Sequence, residues 1–200
     1  MNITDRRVRR TQKLLGDALI ALALEKEIGE ITIQEITDRA DVGYRTFFRH
    51  YSDKDELLKD VLSTVRMEMR ELMAPPSFEL FLDPNTKDAD LPDSTSIFQH
   101  VRDNSDLYRL LLFSNRGLVQ PLIAFAIEEF RANYDALIDI DIPFDILANH
   151  MVSSMITLMR WWLKNDMCHS PDEMGEYAFR LIIQPTRDLI LEGISKKQQS

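Results

Sequence analysis

Apolar residues recur at spacings of three and four along most of this 200-residue chain. Such spacing puts them on one face of an α-helix, and no alternation of Val, Ile and Thr typical of strands competes with it. Only 6 glycines and 8 prolines interrupt the pattern. We therefore predict an all-α protein with helices near residues 6–26, 33–40, 44–51, 54–74, 95–114, 117–137, 143–167 and 171–195.

Two of these helices are short and lie close together. Thr32 and Glu35 have the spacing of a capping box, which starts the first of them. Residues 41–43 form a tight link, and residues 44–51 form the second short helix. Two helices of this length, joined by three or four residues, are what a helix-turn-helix requires to present its second helix to the DNA major groove.

The charge of the chain is unevenly distributed. The net charge is −9, yet residues 1–50 carry nine Lys and Arg against eight Asp and Glu, so the remaining 150 residues carry −10. Five cations lie within eight positions near the start: Arg6, Arg7, Arg9, Arg10 and Lys13. A basic end on an acidic body is typical of a DNA-binding head, and we expect this cluster to follow the phosphate backbone or enter a minor groove.

The second short helix has a polar side and an apolar side. Arginine can pair with the acceptors of guanine, and a threonine methyl can contact thymine. Lys54 begins the next helix, where a cation and free amides together favour a phosphate. We expect the inward residues to be Val42, Phe47 and Tyr51, and the DNA-facing ones to be Tyr44, Arg45, Thr46 and Arg49.

The runs TIQEIT (32–37), ADVG (40–43) and TFFRHYSDKDELL (46–58) closely resemble the DNA-binding domain of the TetR family of bacterial regulators. The resemblance implies backbone contacts from Thr32, His50 and Lys54, and a homodimer that reads a palindromic operator. Two hydroxyl groups of the family pattern are missing. Gly43 stands where the family usually has Ser or Thr, and Phe48 stands where the family often has Tyr. The complete set of expected DNA contacts is Arg6, Arg7, Arg10, Thr32, Gly43, Tyr44, Arg45, Thr46, Phe48, Arg49, His50 and Lys54.

The rest of the chain looks like a ligand-binding and dimerisation domain, which we expect at residues 53–200, after a head at 1–52. Segments 100–104, 158–167 and 170–174 resemble a subgroup common in Gram-positive bacteria. The family's last two helices usually form a four-helix bundle across the dimer axis. The residues expected there are Leu147, Met151, Leu158, Trp162, Tyr177 and Leu181. The candidates for a pocket binding an unidentified small molecule are Phe98, Arg102, Tyr108, Phe113, Phe125, Phe130, Met155 and Trp161, with Arg102 as an anion anchor.

The resemblance, together with the length of the helix at 54–74, implies a regulatory mechanism. The helix at 54–74 would link pocket and head, with Met69 and Met73 at the pocket end, so ligand and operator would bind with negative coupling. Two local breaks are also predicted: a polar, turn-rich loop at 75–96, and a kink or split of the last helix at Pro185.

The sequence supports neither an enzyme nor a membrane-spanning protein. The chain has no Gly-rich phosphate loop, no Gly-x-Ser-x-Gly elbow, no Cys pair, and no histidine spacing suited to a metal, so we expect no enzyme activity, metal or cofactor. The lone Cys168 fits a reducing cytoplasm, and no apolar run approaches the roughly 20 residues of a membrane span. Two alternatives stay open: an adaptor controlled by a protein partner, and a DNA binder that responds to no ligand.

Overall fold

The computed structural model describes residues 3–72, 83, 85–86, 94–114, 117–134 and 141–198. Within these ranges the regular elements are helices and no strand is present, which confirms the all-α prediction. In chain order they are α1 (Ile3–Glu25), a 3₁₀ turn (Ile28–Glu30), α2 (Ile33–Ala40), α3 (Tyr44–Phe47), α4 (Lys54–Leu72), α5 (Thr95–Asp103), α6 (Ser105–Phe113), α7 (Val119–Tyr134), α8 (Phe144–Lys164), α9 (Pro171–Ala178), a π-helical segment (Phe179–Ile183) and α10 (Gln184–Gln198).

Two predicted helices differ from the observed ones. The helix expected at 44–51 is regular only over α3, and turns continue the chain to residue 50. The helix expected at 95–114 divides at Asn104, whose φ of −121° and ψ of 34° lie outside the helical region. The loop predicted at 75–96 and the residue Met73 fall mostly or wholly outside the described residues.

The chain separates into two compact units, Met1–Met67 and Glu68–Ser200. The boundary therefore lies inside α4, later than the expected division after residue 52. The reason is packing, because Leu57 and Val65 of α4 are buried and Gly16 of α1 lies so close to Val61 that an added Cβ would be 3.1 Å from its Cγ2. Other fully buried side chains of the first unit are Leu15, Leu19, Ile31, Ile36 and Phe47.

The second unit contains two buried clusters. The larger joins α5, α6, α7, α8 and α9 around Trp162, which is 0% exposed and meets Phe98 edge-on with ring centroids 5.5 Å apart. The Trp162 indole N–H donates to the carbonyl of His169 at 3.0 Å, so its polar atom is satisfied. The smaller cluster joins α7, α8 and α10 through Phe130, Leu147, Ala148 and Ile190.

The C-terminal helices begin and break where the sequence predicts. Ser170 forms a capping box with Glu173, and Pro171 occupies the first helical position. Pro185 has no N–H to donate within a helix, and the chain adjusts through the π-helical segment directly before it. The Gln184 N–H accordingly donates to the carbonyl of Phe179, five residues back. Of the helices that the structure describes, none combines the length and apolar character needed to cross a membrane.

Candidate nucleic-acid interface

The start of α2 is held by a network around Glu35. The Thr32 hydroxyl accepts from the Glu35 N–H at 3.2 Å, and the Thr32 N–H donates to Glu35 Oε2 at 2.9 Å, so the predicted capping box is present. Lys26 Nζ donates to Glu35 Oε1 at 2.6 Å. The Lys26 hydrogen bond and those from Thr32 lower the Glu35 pKa to about 2. The Thr32 hydroxyl therefore already has a role inside the head, and its contact with DNA stays a prediction.

The helix α3 is anchored from its inner side. Phe47 is 0% exposed and Tyr51 is also buried, as predicted, while Val42 is half-buried. The Tyr51 hydroxyl donates to Asp60 Oδ2 at 2.6 Å, which ties the end of the motif to α4. Burial and the Asp60 carboxylate both raise the pKa of Tyr51. At the other end Gly43 is the N-cap and supplies no side-chain hydrogen bond.

The outer side of α3 and of the turn that follows it carries two cations and two aromatic rings. Arg45 and Arg49 are exposed, whereas Thr46 and His50 are half-buried. Tyr44 is 48% exposed and Phe48 is 47% exposed, and their rings meet edge-on with centroids 5.2 Å apart. Arg6, Arg7 and Arg10 are exposed on the first turns of α1. Residues 44–49, which are α3 and the turn after it, thus carry four exposed side chains that belong to the expected set of DNA contacts.

Lys54 has an internal role that the sequence did not indicate. Its Nζ donates to the carbonyls of Ile28 at 2.8 Å, Gly29 at 2.9 Å and Ile31 at 2.8 Å. An ammonium group has three donors, so all of them are engaged. The cation therefore caps the 3₁₀ turn that precedes α2. The expected phosphate contact of Lys54 stays a prediction, and it would require giving up one of these bonds.

The pocket candidates do not lie together. Phe98 and Tyr108 are in the larger cluster with Met155 packed against it, Phe130 is in the smaller cluster, and the Phe125 ring lies 5.3 Å from the Arg70 guanidinium carbon. The remaining three are exposed at the surface: Arg102, Phe113 and Trp161. The Arg102 guanidinium donates to Gln99 Oε1 at 2.7 Å, so the structure does not direct it toward a buried anion site.

The residues expected at the dimer interface differ in their exposure. Trp162 and Leu147 are buried within a single chain, which corrects the expectation that they face a partner. Met151, Leu158 and Tyr177 are partly buried, whereas Leu181 is 68% exposed. The surface of these helices instead shows apolar residues that the sequence interpretation did not place there: Ile146, Trp161 and Leu189. The helix α8 is apolar nearly all round, so its periodicity does not reveal which face is outward.

Three consecutive residues at the end of α4 contact three different helices of the second unit. Glu68 Oε2 lies 3.7 Å from His100 Nε2 of α5. Met69 Sδ accepts from the Tyr108 hydroxyl of α6 at 3.1 Å, and burial raises the pKa of Tyr108. Arg70 forms a two-bond pair with Glu129 of α7, at 3.0 and 2.6 Å. These partners are more than 30 positions away in sequence, so no local pattern predicts them.

Comparison with known proteins agrees with this geometry. Residues 16–61, which include the helix-turn-helix, match the family described as bacterial regulatory proteins, tetR family. Residues 92–184 match the family described as transcriptional regulator C-terminal region. Together the two matches cover more than two-thirds of the chain. The chain belongs to the TetR family of bacterial transcriptional regulators.

Relatives of this TetR-family chain are named as regulators. It is 24% identical over 129 residues, 64% of its length, to an uncharacterized HTH-type transcriptional regulator of Haemophilus influenzae. It is 21% identical over 171 residues, 84% of its length, to the uncharacterized HTH-type transcriptional regulator YxbF of Bacillus subtilis. The matches span 62% and 43% of these relatives' own lengths.

A solved structure shares the fold. The TetR transcriptional regulator from Streptococcus agalactiae 2603V superimposes with a TM-score of 0.59 at 23% identity, covering 90% of this chain and 98% of that one. The family matches identify the chain as a DNA-binding transcriptional regulator, as the sequence predicted.

Proposed function

We propose that this TetR-family regulator works as a homodimeric repressor, which binds a palindromic operator and is released by a small molecule bound in the second unit. The observation that carries the proposal is the set of exposed apolar side chains on the two C-terminal helical stretches. Ile146 is 61% exposed and Trp161 46% on α8, while Leu181 is 68% exposed in the π-helical segment and Leu189 37% on α10.

A second copy of the chain would cover these side chains. Ile146 and Trp161 are about four helical turns apart and therefore share one side of α8. The helices α8 and α10 are neighbours, because Leu147 and Ile190 belong to the same buried cluster. Pairing two copies through the same surface forms a closed two-fold dimer, which removes the apolar side chains from water without leaving an open edge.

Dimerisation supplies the geometry for operator binding. Two copies of α3 related by a two-fold axis would enter successive major grooves, roughly 34–36 Å apart. The exposed Arg45 and Arg49 and the arginines of α1 would meet phosphates and base edges. A dimer bound across a promoter excludes other proteins by its bulk alone, which is the simplest route to repression.

The ligand response rests on α4. This helix contributes residues to both units, and its last turn is tied to α5, α6 and α7 through Glu68, Met69 and Arg70. A small molecule that displaces Tyr108 from Met69 would disturb that attachment. Ligand and operator would then oppose each other with equal coupling in both directions.

In vitro selection of duplex DNA by the purified protein tests the core of the proposal. We expect an enriched palindrome whose affinity falls steeply with salt, because several phosphate contacts release counterions. Leu181→Glu combined with Ile146→Glu should give monomers in analytical ultracentrifugation and lose the palindrome. Leu24→Glu, which changes an apolar residue that is 44% exposed on α1, is the control. A dimer that survives both interface substitutions would contradict this surface.

Ligand release needs a separate measurement. We would screen medium-sized apolar compounds for a rise in melting temperature and then measure operator affinity with each stabilising compound. Compounds that stabilise the protein should weaken the complex, and Tyr108→Ala should reduce that effect. If stabilising compounds leave operator binding unchanged, ligand release is wrong, and control by a protein partner becomes the better interpretation.

A further inference from the structure

We propose that Tyr44 and Phe48 form an apolar surface that recognises the C5-methyl group of thymine in the operator. This inference rests on the proposed sequence-specific operator binding and adds the base that the two rings read. The two residues, four positions apart, lie on one side of the short helix and its first following turn, and nearly half of each side chain is exposed.

The arrangement of the rings suits a fixed contact surface. The Phe48 ring meets Tyr44 edge-on at 5.2 Å and the buried Phe47 edge-on at 5.4 Å. Phe47 is itself 0% exposed, so Phe48 packs against a side chain held in the core. A ring supported from two sides loses little further conformational freedom when it meets DNA, which favours a selective contact.

The chemistry of the ring limits what it can recognise. Phe48 has no hydrogen-bonding group, so it can hold neither a phosphate nor a polar base edge. In the major groove thymine alone presents a methyl group, while the other edges present donors and acceptors. Tyr44 is the first residue of α3, and the N-terminal residues of a recognition helix are those that reach base edges.

The neighbouring charges identify DNA as the occupant of this surface. Arg45 and Arg49 are exposed on the same short stretch, between and beside the two rings in sequence. Cations would bring the stretch against phosphates and guanine acceptors, which places the rings near base edges. An apolar surface of a protein partner would leave the two arginines without complementary charge. An acidic surface would leave the two rings without an apolar contact.

The test removes single methyl groups from the DNA. After an operator has been selected with the full chain, duplexes are made in which each thymine in turn is replaced by deoxyuridine, which differs only in lacking that methyl. We expect one or two positions per half-site where the wild-type Kd rises about fourfold, the value of one methyl group removed from water. Phe48→Ala should bind thymine and deoxyuridine duplexes equally at those positions.

Two controls separate recognition from folding. Phe48→Tyr keeps the ring and should keep the preference for thymine. Tyr44→Phe removes only a hydroxyl and should keep the same preference. Urea unfolding of Phe48→Ala confirms that the exposed substitution leaves the head folded.

If deoxyuridine is neutral at every position of a selected operator, the inference is wrong although the proposed function stands. In that case a loss of affinity in Phe48→Ala that is equal for all sequences would assign the ring to deoxyribose. If no sequence is enriched at all, the proposed operator binding itself fails.

Discussion

Replacing Lys54 by methionine separates two roles that this residue could have. The substitution keeps the length of the side chain and removes its charge. Lys54 Nζ donates to the carbonyls of Ile28, Gly29 and Ile31, at 2.8 to 2.9 Å. The Ile28 carbonyl keeps a second donor, the Ile31 N–H at 3.2 Å. Methionine would therefore remove a donor from all three carbonyls, and the loss is greatest for those of Gly29 and Ile31.

The size of the effect follows from these bonds. A hydrogen bond to a charged group contributes about 1.5–3 kcal/mol, but the three share one cation and are not additive. Lys54 is only half-buried, so water can replace part of what is lost. We expect Lys54→Met to lower the free energy of unfolding by about 2–3 kcal/mol. Urea denaturation followed by circular dichroism measures this directly.

Lys59 provides the matched control, since it is an exposed lysine on the same helix. Lys59→Met should change the stability by less than about 0.5 kcal/mol. A comparably small effect of Lys54→Met would refute the capping role. The salt dependence of operator binding then decides the other role, because each lost phosphate contact lowers the slope by about 0.9. If Lys54 acts only as a cap, Lys54→Met should weaken binding with the slope unchanged, whereas a reduced slope would show that Lys54 also binds phosphate.

Three further predictions concern the head. The Lys26 and Thr32 hydrogen bonds hold the pKa of Glu35 near 2, so its stabilisation is present above the ordinary value of 4.5 and is lost as the pH falls toward 2; in Glu35→Gln the acid unfolding profile should lose this component. Gly16→Leu should destabilise by about 1–3 kcal/mol through overpacking against Val61, and Val61→Ala should restore part of it in thermal denaturation. Gly43→Ser should stabilise by about 0.5 kcal/mol in urea denaturation, because Gly43 has φ −61° and an added Cβ meets only Thr46 Oγ1, at 3.6 Å.

The features that the sequence predicts correctly are local ones. The capping boxes at Thr32 and Ser170 depend on residues three positions apart, and both are present. The inward direction of Phe47 and Tyr51 follows from their spacing on one short segment. The break before Pro185 follows from its missing N–H. Each of these depends on chemistry within one helical turn, which a sequence displays directly.

The features that the sequence does not predict depend on contacts between distant residues, or on which face of an apolar helix points outward. The carbonyls that Lys54 contacts lie 23 to 26 positions earlier, in a turn that has no sequence signature of accepting a cation. Trp161 and Trp162 are adjacent, and only the tertiary packing around Phe98 shows that the second one is buried. In an apolar helix such as α8, pattern alone could not choose between the core and the surface.

The brevity of α3 explains why its inner contacts matter for its outer surface. A helix of four residues without a side-chain cap has almost no stability of its own. Its orientation must come from the buried Phe47 and from the hydrogen bond between Tyr51 and Asp60. Substitutions at these inner positions should therefore weaken binding to all sequences alike, since they misplace the whole surface. Substitutions at outward positions such as Arg45 should change which sequences are bound, because only those side chains can meet the bases.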